Sequence, residues 1–149
     1  MLRSLALALF ALFLIAAPPA RADSSLEPLS FVTRGGAHAF QVEVMRTPAE
    51  QAKGLMFRRY MPDDRGMLFD FGRADIVQMW MKNTYIPLDM VFVGADGRVV
   101  SIAADTEPLS ERTISSGAPA TGVVELNAGA AARIGLAVGD RVRHPMFGP

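Results

Sequence analysis

Apolar and polar residues alternate along most of the chain beyond residue 28, which is the pattern of β-strands that bury one face. Two pairs that favour tight turns, Gly35-Gly36 and Asp96-Gly97, separate neighbouring segments of this kind. The predicted strands cover residues 29–33, 38–45, 66–71, 76–82, 89–93, 98–104, 121–126 and 140–143. Strands outnumber helices, so we expect a mainly β fold: a single compact antiparallel β-barrel or sandwich domain with two short helices.

Two segments carry helix signals instead. Thr47 can cap a helix that starts at Pro48, and Glu50 can reach back to complete a capping box. This helix is predicted to end near Met56. Residues 128–134 form the second predicted helix, which a glycine follows.

The first residues have the features of a signal peptide. Arg3 precedes an unbroken apolar run, Leu5–Ala17, whose 13 residues are fewer than the roughly 20 that span a bilayer. Ala20-Arg21-Ala22 then has the small-x-small spacing of a cleavage site. We expect residues 1–22 to be cleaved and residues 23–149 to form one domain that is periplasmic or secreted in a bacterium. Retention of the segment as an anchor is the alternative.

Composition narrows the functional classes. The chain has no cysteine, which excludes disulfides, thiol nucleophiles and thiolate metal sites. Once Arg3 and Arg21 are removed, 13 basic residues face 15 acidic ones, and no basic stripe remains that could follow nucleic-acid phosphates. We expect no nucleic-acid partner, no stable membrane span after cleavage and no cofactor. The sequence does not indicate protein partners.

One short segment combines an apolar run with several polar side chains. Lys82, Asn83 and Thr84 end the run beside Trp80, the only tryptophan, and Asp89 follows closely. Strand alternation puts Trp80 and Lys82 on one face. An aromatic ring beside an ammonium and an amide is suited to a polar, ring-shaped ligand such as a sugar. The alternative is that Trp80 only covers the sheet, with the Lys82 stem packed beside it.

Carboxylates offer a second kind of chemistry. Lys82 could form a buried ion pair with Asp89 or lie near Glu125, and a desolvated lysine can act as a base or nucleophile. Such pairs are more often structural. Asp89 could instead cap backbone amides after a turn, and Glu125 could lie on a solvated strand face.

Residues 105–119 contain two prolines and are predicted to form a long loop. Ser115 and Ser116 lie in it and could either donate to a ligand or satisfy the loop backbone. No Gly-x-Ser-x-Gly elbow surrounds them, and neither histidine is grouped with them, so a serine hydrolase is not expected. Methionines could hold Cu(I), but alternation points Trp80 away from the sulfurs of Met79 and Met81, and no metal site is predicted.

Several motifs taken in order resemble the domain-of-unknown-function 192 family. The match extends over about residues 31–143, and the resemblance implies a mainly β domain, commonly behind a bacterial signal peptide. It implies no reaction, ligand or cofactor. The motifs are Gly54-Leu55-Met56-Phe57-Arg58, Gly66-Met67-Leu68-Phe69, Trp80-Met81-Lys82-Asn83-Thr84, Ile86-Pro87-Leu88-Asp89, Ser115-Ser116 with Pro119-Ala120, Val124-Glu125-Leu126-Asn127-Ala128-Gly129 and Gly139-Asp140.

These observations favour a periplasmic module that binds a small polar molecule or glycan. The alternatives are a hydrolase or transferase that uses Lys82 with Asp89 or Glu125, and a structural accessory domain of a cell-envelope complex. The expected ligand-binding residues are Trp80, Lys82, Asn83, Thr84, Asp89, Ser115, Ser116 and Glu125.

Overall fold

A computed structural model describes residues 25–148. The predicted signal peptide, residues 1–22, lies outside the described residues. No helix within 25–148 is long and apolar enough to cross a membrane. The elements are β1 (Glu27–Thr33), β2 (Gly36–Met45), α1 (Pro48–Lys53), β3 (Arg65–Met79), β4 (Leu88–Val93), β5 (Val99–Thr106), β6 (Ile114–Asn127), α2 (Ala130–Arg133), β7 (Arg141–Arg143) and a 3₁₀ helix (Pro145–Phe147).

All seven strands belong to one sheet in the order β5-β4-β6-β3-β2-β1-β7. Every neighbouring pair is antiparallel except β2 and β3, which are parallel because the connection through α1 returns the chain to the same end of the sheet. The two edges approach each other where Arg98 forms a backbone bridge with Arg141, and the Val142 amide donates to the Gly97 carbonyl at 2.7 Å. The sheet is therefore curled into a half-barrel, which confirms the predicted mainly β fold with two short helices.

The long strands β3 and β6 differ from their predicted extents. β3 joins the two segments predicted as separate strands, with a register shift between Asp70 and Asp75, but it ends at Met79, so Trp80 and Lys82 lie beyond the strand instead of within it. β6 begins at Ile114, so the predicted loop is shorter and Ser115 and Ser116 lie in a strand. The sequence did not reveal this because Gly117 and a proline mark a turn locally. Pairing with the end of β3 supplies the hydrogen bonds that keep this segment extended.

Apolar side chains form two clusters on opposite faces of the sheet. Along β6, Val124 and Leu126 belong to one cluster, whereas Val123 belongs to the other. The second cluster contains five buried methionines: Met45, Met61, Met67, Met81 and Met90. Methionine fills irregular space well, so this face of the sheet can pack against the irregular segment that follows α1.

The N-terminus of α1 has the predicted capping box. The Thr47 hydroxyl accepts from the Glu50 amide at 3.3 Å, and the Glu50 carboxylate accepts from the Thr47 amide at 2.8 Å. The helix ends at Lys53, earlier than predicted, because Gly54 adopts a left-handed φ of 45°. The residues after Gly54 are consequently irregular and form a wall over the second apolar cluster.

Gly66 in β3 lies where two strands approach closely. A Cβ atom there would lie 2.8 Å from the Glu125 carbonyl oxygen and 2.9 Å from Leu126 Cδ2. We expect Gly66→Ala to lower the free energy of unfolding by about 2 kcal/mol, because strand backbones cannot move apart cheaply. Urea unfolding measures this. Gly35→Ala is the control, since its Cβ would meet Thr33 Oγ1 at 3.5 Å and His38 Nε2 at 3.9 Å, which are ordinary contact distances. Equal stability of the two variants would contradict the prediction.

Candidate functional site

A cleft of about 130 Å³ lies between the end of α1 and strands β3 and β6. Its walls combine polar and apolar groups, and the apolar side chains include Leu55, Met56, Phe69, Phe71 and Met79. Of the eight ligand-binding residues expected from the sequence, four line this cleft: Trp80, Lys82, Thr84 and Glu125.

Glu125 is the most unusual residue of the cleft. It lies in the middle of β6, where its strand neighbours are Met67 on one side and Met90 on the other. The residue is only 4% exposed. Within the described part of the chain, no side chain or backbone group pairs with its carboxyl. Desolvation by burial raises the pKa of Glu125 to about 8, so at neutral pH the group is mostly a protonated acid that can donate a hydrogen bond.

Thr84 supplies a complementary group. Its side chain is buried, and its hydroxyl donates to the Lys82 carbonyl at 3.2 Å. Because a hydroxyl has a single hydrogen, the oxygen is left as an acceptor. The cleft therefore contains one buried donor, at Glu125, and one buried acceptor, at Thr84.

Trp80 and Lys82 lie together at the mouth. Trp80 is 47% exposed, and the Lys82 ammonium lies 5.1 Å from the centre of its ring, within the range of a cation–π contact. Lys82 also lies 3.7 Å from the carboxylate of Glu111. The structure thus pairs Lys82 with Glu111 rather than with Asp89 or Glu125, because the segment after β5 brings Glu111 beside it.

Asp89 does not reach the cleft. It is fully buried in β4, where its two carboxylate oxygens accept from the amides of Asp105 and Ala131, both at 2.9 Å. These contacts connect β4 to the end of β5 and to α2. Asp89 therefore satisfies backbone donors, as in the alternative that the sequence left open.

The serines are also separate from the cleft. The buried Ser116 hydroxyl accepts from the Val77 amide at 3.0 Å and donates to the Ala118 carbonyl at 2.7 Å. The Ser115 hydroxyl accepts from the Gly117 amide at 3.2 Å. Both side chains satisfy the backbone of an irregular strand pair, and no loop around Ser115 closes over Trp80.

Comparison with known sequences identifies the family. The sequence model of DUF192, described as "Uncharacterized ACR", matches residues 30–144. The chain belongs to the DUF192 family. No curated protein shows significant sequence similarity to it.

Two solved structures resemble this DUF192 domain, each with a TM-score of 0.79 and 43% sequence identity. One is a protein from Sinorhizobium meliloti 1021 for which a role as a transcription regulator has been suggested, and the match covers 83% of this chain and 97% of that one. The other is a protein of unknown function from Novosphingobium aromaticivorans DSM 12444, with coverage of 87% and 94%. The fold is therefore shared across the length of these proteins.

Of the four residues other than glycine that adopt left-handed φ angles in the described part of this DUF192 domain, three are next to a cleft residue or bonded to one, and the fourth is Asp105. Phe57, Asn83 and Leu109 adopt left-handed φ angles of 66°, 55° and 64°, which are costly for residues other than glycine. The Phe57 amide donates to the Asn83 carbonyl at 2.8 Å, and the Leu109 amide donates to the Thr84 carbonyl at 3.0 Å. Strain of this kind is characteristic of functional sites.

Three aromatic or basic residues near the cleft were not expected from the sequence. The rings of Phe57 and Tyr85 are 6.4 Å apart at their centres, and Arg59 lies 5.1 Å from the centre of the Tyr85 ring. Phe57 is 60% exposed. Asn83 contributes its backbone here, and its amide approaches only the Met56 sulfur, at 3.9 Å. Only the family motif that contains Phe57 could have drawn attention to it.

The described residues contain no cluster of side chains with the composition of a metal centre. In residues 25–148, no group of three or more histidine, aspartate or glutamate side chains could hold an ion. Met81 lies in the second cluster, where its sulfur accepts from the Thr106 hydroxyl at 3.2 Å. The arrangement is consistent with methionines that fill core space.

Proposed function

We propose that this protein is a periplasmic binding module for a small polar ligand, most specifically a glycan. The observation that carries the proposal is a cleft that joins an exposed indole, Trp80, to a buried carboxyl without a partner, Glu125. A sugar ring would stack on the exposed part of Trp80. Lys82 would donate to it at the mouth, and a substituent of the ring would enter toward Thr84 and Glu125.

The size of the cleft supports partial insertion of the ligand. Its volume of about 130 Å³ is below the roughly 300 Å³ at which pockets begin to enclose drug-sized molecules. A complete sugar ring with its hydroxyls therefore stays at the mouth, and only one substituent is enclosed. This explains why the aromatic residue lies at the rim and the buried polar groups lie deeper.

The periplasmic location is part of the proposal. Its support is the apolar run Leu5–Ala17, followed by a small-x-small site. Extracellular and periplasmic glycans are the sugars that such a protein would encounter.

An acid–base enzyme is the second candidate, and Glu125 is the observation that favours it. A carboxylic acid whose pKa burial raises to about 8 can donate a proton at neutral pH. Most glycosidases need a second carboxylate about 5–10 Å away. Among the described residues that line the cleft, Glu125 is the only acid. Binding is therefore the better supported function.

The other candidates have less support. A purely structural domain gives no reason for a buried carboxyl without a partner, because such a group costs stability. Transcription regulation, suggested for the Sinorhizobium protein, has no support in the charge of this chain, whose formal net charge is zero.

Trp80→Ala tests the proposal. We expect affinity for a bound oligosaccharide to fall about 30-fold, the effect of removing a central aromatic contact of about 2 kcal/mol. The melting temperature should change little, since the ring is 47% exposed. Isothermal titration calorimetry and thermal unfolding measure the two effects.

Tyr60→Ala is the matched control for an exposed aromatic residue. Tyr60 is 76% exposed and does not line the cleft. Its variant should bind like the unsubstituted protein. Loss of stability without loss of binding in Trp80→Ala would assign the indole to packing, and absence of binding by any glycan would refute the proposed function.

A further inference from the structure

We infer that the cleft encloses an acylamino group and that the ligands are N-acetylated amino sugars. This rests on the proposed function and names its ligand class. The geometry points to this group because a lone buried carboxyl and a buried hydroxyl acceptor, at Glu125 and Thr84, line the same small cleft as several apolar side chains.

The first step concerns the donor. Glu125 has no partner among residues 25–148, and a buried polar group without a partner is costly. Met67 and Met90, its neighbours across the strands, offer only apolar side chains. A ligand carbonyl oxygen would accept from the protonated acid and remove this cost.

The second step concerns the acceptor. Thr84 has given its only hydrogen to the Lys82 carbonyl, so its oxygen can bind only a donor. An amide provides an N–H beside its carbonyl. A ketone or an ester provides the carbonyl alone and would leave Thr84 without a donor.

The third step concerns shape and polarity. Leu55, Phe69 and Met79 line the same cleft, and an acetyl methyl would pack against apolar walls of this kind. The volume of about 130 Å³ is close to that of the roughly 150 Å³ cavity known to hold a benzene molecule. An acetamido group fits such a space, and a single hydroxyl would leave most of it unfilled.

The charged groups exclude a free amine. The titratable side chains that line the cleft within the described chain are Lys53 from α1, Lys82 after β3 and Glu125 from β6. Glu111 faces Lys82 from the segment after β5. With Glu125 protonated, the ammonium groups of Lys53 and Lys82 outnumber the single carboxylate of Glu111, and the net positive charge would repel the ammonium of an unacetylated amino sugar.

Three trisaccharides with one backbone test the inference: triacetylated chitotriose, fully deacetylated chitotriose and cellotriose. They carry an acetamido, an ammonium and a hydroxyl group at the same ring position. Calorimetric titration of the purified protein at pH 6.5 should show at least roughly tenfold tighter binding of the acetylated sugar than of either other sugar.

The outcomes separate the two proposals. If cellotriose binds as tightly as the acetylated sugar, glycan binding stands and the acylamino inference is overturned. If the deacetylated sugar binds most tightly, Glu125 acts as an anion and the inference is likewise overturned. If none of the three sugars binds, the acylamino inference is overturned, and the glycan-binding function fails as well when no other glycan binds.

Variants of Glu125 identify the donor. Glu125→Gln keeps an N–H donor of similar size and should retain the preference for the acetylated sugar within about threefold. Glu125→Met removes the donor and should reduce that preference at least roughly tenfold. The unsubstituted protein should lose affinity as the pH rises above 8, and Glu125→Gln should not. An unchanged preference in a folded Glu125→Met variant would overturn the assignment, and the sugar series decides the ligand class if that variant does not fold.

Discussion

At pH 9 we expect Glu125→Gln to be more stable than the unsubstituted protein by several kcal/mol, whereas at pH 5 the two should differ by less than about 1 kcal/mol. The cause is the burial of Glu125, which raises its pKa from 4.5 in the unfolded chain to about 8 in the folded one. The folded state then binds more protons than the unfolded state between these values. Its stability consequently falls as the pH rises from about 4.5 and stops falling above about 8.

The upper limit of the effect follows from proton linkage. At 1.36 kcal/mol per pH unit, the loss between pH 4.5 and pH 8 is at most about 5 kcal/mol. Glutamine cannot ionise, so the stability of Glu125→Gln lacks this dependence on pH. The other titratable groups are the same in both proteins, so their effects on stability largely cancel in the comparison.

Urea unfolding at several pH values between 5 and 9 measures the difference. Glu111→Gln is the control, because Glu111 is an exposed acid and its variant should follow the unsubstituted protein throughout. If the difference in free energy of unfolding between Glu125→Gln and the unsubstituted protein is the same at every pH in this range, burial does not raise the pKa of Glu125. The prediction would then be wrong.

Removal of the Asp89 carboxylate should have an effect of similar size at neutral pH. We expect Asp89→Ala to lower the free energy of unfolding by about 3–5 kcal/mol. Two buried amides, of Asp105 and Ala131, would lose acceptors that now lie at 2.9 Å. Asp89→Asn should also be destabilising, because one side of its amide would place a donor against a donor.

Asp64→Ala is the matched control for loss of an acidic side chain. Asp64 is exposed, and its side chain makes only a 4.0 Å contact with Arg65, so its variant should change stability by less than about 0.5 kcal/mol. Urea unfolding of both variants decides the matter. If Asp89→Ala is as stable as Asp64→Ala, the Asp89 carboxylate does not support the fold and the prediction is wrong. A change in ligand affinity in that variant would then place Asp89 in a binding site.

The structure brings together four of the eight residues that the sequence predicts as a ligand site, and whether they bind a ligand stays a prediction. Trp80, Lys82, Thr84 and Glu125 line one cleft, as the sequence suggested they could. Asp89 was grouped with them because it is near in the chain. In β4, however, its carboxylate accepts from the amides of Asp105 and Ala131, away from the cleft.

The sequence by itself determined the local structure. Thr47 and Glu50 fix the start of α1 through contacts within three residues, and alternation indicates where strands occur but not the full extents of β3 and β6, because both signals depend on neighbours along the chain. The parallel pairing of β2 with β3 and the extension of β6 to Ile114 needed partners far away in sequence.

Only the tertiary structure decided the chemistry. Whether Glu125 is a solvated carboxylate or a buried acid depends on Met67 and Met90, which two other strands place beside it. Desolvation is a property of everything that surrounds a group, and the residues next to it in sequence determine very little of it. The strand pattern therefore predicts that Glu125 lies in a strand. Only its surroundings in the fold make it a hydrogen-bond donor, because burial raises its pKa.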